Sequence, residues 1–106
     1  MSQIAVKPRT KTKTKTERPK LYKVILLNDD FTPREFVVLV LKAVFRMNET
    51  TANKIMLTAH QKGACVIAVF TRDVAETKVK ATQQLAEQHE FPLLVTIEPD
   101  AQDSRE

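Results

Sequence analysis

Four side chains in this 106-residue sequence have types and spacing that could do chemistry. Asn28, Asp29 and Asp30 lie together where one apolar run stops, and His60 stands at the end of a later apolar stripe. In an extended segment residues i and i+2 share a face, so Asn28 and Asp30 can project together. The seam carries two carboxylates and no cation before Arg34. A carboxylate near a core is costly unless a cation or several donors meet it. The cluster offers an amide oxygen, carboxylates and an imidazole beside the apolar side chains of Val37, Met56 and Ala59.

Four readings suit that set. A divalent metal accepts Asp and His, but only one histidine is suitably placed. General acid–base catalysis uses the same groups, yet no nucleophile, oxyanion loop or glycine-rich phosphate cradle accompanies them. A primary ammonium needs several converging acceptors, with an apolar pocket for whatever it is attached to. The plainest reading is that the carboxylates favour a helix start and His60 is a surface residue. Cys65, paired with His60, would make a thiol nucleophile, but a lone cysteine in a β-branched run belongs to a core.

The elements that must position these groups follow from pattern. Leu21 to Leu27 reads as a strand with Tyr22, Val24 and Leu26 on one face. Thr32, Pro33 and Glu35 read as a capping box that starts a helix, carrying Phe36, Val37, Val40, Leu41, Val44 and Phe45 inward. Asn48 caps a second helix with the stripe Ala52, Ile55, Met56, Ala59, and Gly63 closes it. Arg46-Met47 is a short link, so the two helices run antiparallel and His60 returns toward the seam. Ala64 to Phe70 is a strand. Thr71 caps a third helix to about Gln88 through Ala75, Val79, Thr82 and Ala86, and Leu93 to Ile97 is the last strand. The order β-α-α-β-α-β implies an α+β two-layer domain, a three-stranded antiparallel sheet packed on three helices.

Composition narrows the class. At 42% hydrophobic residues the chain can build one small core. The formal charge is +4, but residues 1–23 hold eight basic groups against Glu17 alone, so the remainder is mildly acidic. That remainder is not a nucleic-acid surface. Residues 1–20, with Lys and Thr alternating from Lys11 to Thr16, read as a disordered basic extension. Residues 21–98 form the domain and 99–106 a frayed tail. A tail that contacts a polyanion or nucleic acid is the remote reading of the extension. One cysteine excludes an internal disulfide. No apolar run reaches the roughly 20 residues a membrane span needs, and no signal peptide is evident, so a cytoplasmic protein is expected.

Four blocks, LYKVILLNDDFTPREFV, MLTAH, VFTRDVAETK and FPLLVTIE, covering about residues 20–98, resemble ClpS, the adaptor that delivers N-degron substrates to a ClpA-type unfoldase of the Clp protease. The resemblance implies a non-enzymatic protein with no cofactor, which binds bulky hydrophobic N-terminal residues (Leu, Phe, Tyr, Trp). It implies that Asn28, Asp30 and His60 contact the α-amino group, with Asp29 supporting an acidic mouth. Leu26, Leu27, Thr32, Arg34, Val37, Met56, Ala59 and Leu93 are implied as the pocket wall. Asp73, Glu76 and Lys78 are implied as the face that docks on the unfoldase N-terminal domain; from sequence alone that helix face reads as solvated, with no intrachain reason for Asp73 or Lys78. The extension is implied to assist hand-off. Two positions depart from the usual pattern. Arg34 stands where many members carry Met, and Ala59 where many carry Val, as in a divergent second paralogue. The alternative is a regulatory module that docks on the unfoldase and inhibits other substrates without binding N-degrons.

Overall fold

The computed structural model describes residues 19–101. Most of the expected basic extension and of the 99–106 tail lies outside the described residues. The elements are β1 (Leu21–Leu27), α1 (Arg34–Ala43), α2 (Glu49–Lys62), β2 (Ala64–Thr71), α3 (Arg72–Gln88) and β3 (Leu94–Pro99). The order is the one expected from the sequence. The sheet runs β2-β1-β3, antiparallel throughout, with β1 central.

One face of the sheet carries the helices. Val24 and Leu26 of β1, Ile67 of β2 and Val95 of β3 are buried there against Phe36, Val37, Val40 and Leu41 of α1, Ala52, Met56 and Ala59 of α2, and Ala75 and Ala86 of α3. The alternation in β2 is interrupted. Val24 pairs with Ala68 but Ile25 pairs with Val66, which leaves Ile67 as the extra residue of a β-bulge. The bulge lets Cys65 and Phe70, an odd number of positions apart, both pack against the core.

Helix ends explain the connections. Asn48 Oδ1 accepts from Thr51 N at 2.8 Å, and Gly63 adopts φ +93° with its N–H bonded to Ala59 O, as the sequence implied. The start of α1 differs. Pro33 is the residue before the helix, and no side chain caps it, so the expected Thr32–Glu35 box does not form. Thr71 occupies the N-cap position of α3 without a side-chain bond. At the other end of α3, Phe91 N bonds to Ala86 O and Glu90 N to Glu87 O, a Schellman turn with Glu90 at φ +61° where glycine is usual. That turn places Phe91 against Phe36, ring centroids 4.8 Å apart. The last strand begins one residue later than expected and runs through Pro99, and Asp100 N bonds to Leu21 O.

Thr82 of α3 is fully buried and, among the described residues, its hydroxyl has no hydrogen-bond partner. A buried, unsatisfied hydroxyl costs about 1–3 kcal/mol. Thr82→Val keeps the shape and removes the polar atom. It is expected to raise the unfolding free energy by about 1 kcal/mol in chemical denaturation.

Candidate functional site

The C-terminal end of β1, the turn into α1 and the C-terminal end of α2 meet at one corner. The joint is a backbone bond: Asn28 N donates to Gly63 O at 3.0 Å, which ties the end of α2 to the end of β1. His60, one turn before Gly63, is thereby brought to the seam. A cavity of about 300 Å³ opens here, near the lower end of the range for small-ligand sites and suited to a single bulky side chain.

All twelve residues named from the sequence as amino-binding or wall positions line this one cavity. The floor and walls are Leu26, Leu27, Thr32, Val37, Met56, Ala59 and Leu93, and the mouth holds Asn28, Asp29, Asp30, Arg34 and His60. Phe31 and Pro33 line it too and were not singled out. Phe31 directly follows the seam and is 80% exposed, which for a phenylalanine is itself a signal. Pro33 had been read only as a helix starter.

The two adjacent aspartates do different things. Asp29 Oδ1 accepts from Phe31 N at 2.8 Å and Thr32 N at 2.7 Å, while Oδ2 accepts from Thr32 Oγ1 at 2.8 Å. The carboxylate thus closes the turn, taking the place of the helix cap expected at Thr32, whose hydroxyl it occupies. Asp30 is exposed and, among the described residues, has no hydrogen-bond partner; neither has the Asn28 side-chain amide. Arg34 Nη2 donates to His60 Nε2 at 3.0 Å. The mouth therefore presents free acceptors next to an apolar floor.

The chemistry available is binding. Among the described residues no three His, Cys, Asp or Glu side chains are grouped as metal ligands. The Cys65 thiol is pushed up from its ordinary pKa by burial, which outweighs the opposing influence of Lys62, and its hydrogen bond is to Val66 O rather than to His60. It is a half-buried thiol packed against the core.

The remaining three positions lie on α3, away from the cavity. Asp73 and Glu76 are exposed, and Glu76 pairs with Arg72 at 3.0 Å. Lys78 departs from the sequence reading. It has an intrachain role: Nζ donates to Val44 O at 2.8 Å, near the end of α1, with the Phe45 and Phe70 rings about 6.0 and 5.9 Å away. A bond spanning 34 positions leaves no trace in local pattern.

A three-stranded sheet with helices on one face and an acidic-mouthed apolar cavity defines a small binding module. Comparison with known proteins supplies the family. Residues 17–96 match the family model of the ATP-dependent Clp protease adaptor protein ClpS. Similar proteins include ATP-dependent Clp protease adapter protein ClpS 2 of Mesorhizobium japonicum and ClpS 1 of Bradyrhizobium diazoefficiens. Each is 60% identical over 94% of this chain and 99% of the relative. The solved structure of Agrobacterium tumefaciens ClpS2 bound to L-phenylalaninamide aligns with TM-score 0.76 and 59% identity, over 78% of this chain and all of that one. The chain belongs to the ClpS family. It is an adaptor of the ATP-dependent Clp protease and not an enzyme. No described helix is long and apolar enough to cross a membrane.

The division of labour between the aspartates is testable by stability alone. Asp29→Ala removes three hydrogen bonds to a carboxylate and is expected to lower the unfolding free energy by about 1–2 kcal/mol. Asp30→Ala is expected to change it by less than about 0.5 kcal/mol. Urea titrations of the two variants check the contrast.

Proposed function

We propose that the cavity binds the free N-terminus of a protein whose first residue is bulky and hydrophobic, Leu, Phe, Tyr or Trp. The observation that carries this is the unpartnered pair Asn28 and Asp30 on the rim of an apolar cavity of about 300 Å³. An α-amino group has an unperturbed pKa of about 7.7–8.0 and is charged near neutrality. Asn28, Asp30 and His60 accept its protons, while Leu26, Val37, Met56, Ala59 and Leu93 surround the side chain. Asp29 contributes by holding the turn. Support comes also from the A. tumefaciens relative, whose ligand combines a free α-amino group with an aromatic side chain.

Two terms act together. Hydrogen bonds to a charged group contribute about 1.5–3 kcal/mol each, and burying a Leu or Phe side chain about 1.5–3 kcal/mol. An internal peptide lacks the first and a small or polar N-terminal residue lacks the second. Selection requires both. Peptides beginning with Phe are expected to bind in fluorescence polarisation, and N-acetylation to weaken them at least about 100-fold, the equivalent of two lost charge-assisted bonds. Equal binding of the acetylated peptides would sink the ammonium reading.

Delivery is the second half of the proposal. Asp73, Glu76 and Lys78 form the face that docks on the N-terminal domain of a ClpA-type unfoldase, and the basic residues 1–20 assist hand-off. The exposed carboxylates of Asp73 and Glu76 make the direct polar contacts. Lys78 acts by anchoring α3 to the end of α1, where it is already engaged. Asp73→Ala with Glu76→Ala is expected to weaken capture of that domain about tenfold and leave the affinity for Phe peptides unchanged. Loss of both, or of neither, counts against the assignment.

One observation favours a second reading. Arg34 Nη2 already bonds His60 Nε2, so one of the three acceptors named for the ammonium is taken by the protein itself. On that reading the protein regulates the unfoldase without taking N-degrons. Inhibition of ordinary unfoldase substrates with no binding of Phe or Leu peptides would establish it.

A further inference from the structure

The contact between Arg34 and His60 poses a problem of proton accounting. A guanidinium can only donate, so the Nε2 it meets at 3.0 Å must be an acceptor. A neutral imidazole has a single acceptor nitrogen. While this contact holds, His60 carries its proton on Nδ1 and its only lone pair is taken. An ammonium bound at Asn28 and Asp30 cannot also use His60 until Arg34 leaves.

Arg34 has somewhere to go. It borders two concavities at once, the cavity already described and a groove between α1 and α2 lined by Val38, Leu39, Lys42, Glu49 and Met56, among others. Met56 is the other residue the two share. Lys42 and Glu49 in that groove neutralise each other at 3.1 Å. Among the described residues Arg34 is in no ion pair, although Asp29 and Asp30 line the same cavity. Asp29 is saturated by the turn. Once Asp30 is engaged by the ammonium, the unpaired carboxylate left in the groove, among the described residues, is Glu35. Adjacent positions on a helix do not face each other, so the displaced guanidinium stays open to an anion on the ligand. Glu35 follows it in the chain and also lines the groove, opposing any incoming anion there, but of the two residues on the partition, Arg34 and Met56, only Arg34 is charged.

We propose that Arg34 is a charge-reading residue. It caps His60 and, when an N-terminus displaces it, pairs with an acidic side chain immediately after the ligand's first residue. This rests on the reading of the cavity as an N-terminus site. It predicts a preference that two carboxylates at the mouth would, without Arg34, reverse. The pair forms in exposed surroundings, so its effect is moderate and sensitive to salt.

The test uses three peptides that differ only at the second position, beginning Phe-Glu, Phe-Ala and Phe-Lys, titrated against the full chain and its Arg34→Gln variant. The wild type is expected to rank Glu over Ala over Lys, with about a 5- to 10-fold span, and the variant to lose or invert that order whatever its overall affinity. A wild-type order that favours Lys, a flat series, or a ranking that survives Arg34→Gln overturns the proposal while leaving the N-terminus site standing. If none of the three binds the wild type, the site reading fails and this inference with it. An independent readout is the His60 tautomer in the free protein, by nitrogen–proton correlation spectra. The Nδ1–H form supports the contact, and an Nε2–H form overturns it.

Discussion

The turn closed by Asp29 is the constraint on which the site depends. Three donors within three residues converge on one carboxylate, and this fixes the path from the central strand into α1. Without it the chain would have no reason to hold Asn28 and Asp30 at the rim while Val37 faces inward. Satisfying one aspartate inside the turn leaves its neighbour unsatisfied outside it. Identical side chains side by side acquire opposite roles because one is surrounded by backbone N–H groups and the other by solvent.

The second joint is the bond from Asn28 N to Gly63 O. It uses a carbonyl that the end of α2 would otherwise leave unpaired, and the left-handed conformation of Gly63 turns that carbonyl toward β1. A chain with one glycine has placed it where α2 must stop, reverse and meet the strand that carries the acceptors. Elsewhere it accepts left-handed conformations at ordinary residues, Arg46 and Glu90, at a cost of about 1–2 kcal/mol each. The cavity lies between these two joints, so both helices contribute to its wall without either having to bend.

Much of this was legible in the sequence, for identifiable reasons. The elements follow from hydrophobic period and from strong end signals at Asn48 and Gly63. Asn28, Asp30, His60, Val37, Met56 and Ala59 follow because the antiparallel pair α1–α2 returns His60 to the seam, whereas Leu26, Leu27, Thr32, Arg34 and Leu93 were implied only by the resemblance to ClpS. What period could not convey is which atom satisfies which. The capping box at Thr32 and Glu35 had the right residue types, but Asp29 reaches the Thr32 hydroxyl first. The β2 bulge moves Phe70 onto the core face, against the strict alternation that a pattern assumes. Lys78 looked solvated on its own helix because the carbonyl it meets belongs to another one. These are tertiary choices among locally equivalent partners.

Charge balance at the mouth joins these observations. The cavity is lined by two carboxylates, one guanidinium and an imidazole. A direct Arg34–Asp30 ion pair would have balanced the exposed charge internally and occupied an acceptor that, on the proposed reading, the ammonium uses. Arg34 instead spends its bond on a neutral ring, a weaker interaction than one with a carboxylate, and leaves Asp30 exposed to water. An exposed carboxylate keeps its hydration, so leaving it unpaired costs little, while an arriving cation gains a partner that has not been neutralised. The arrangement thus favours a ligand that brings its own positive charge over closure by the protein's own arginine. On the reading proposed above, the same arginine, once released, would set what the next part of that ligand carries.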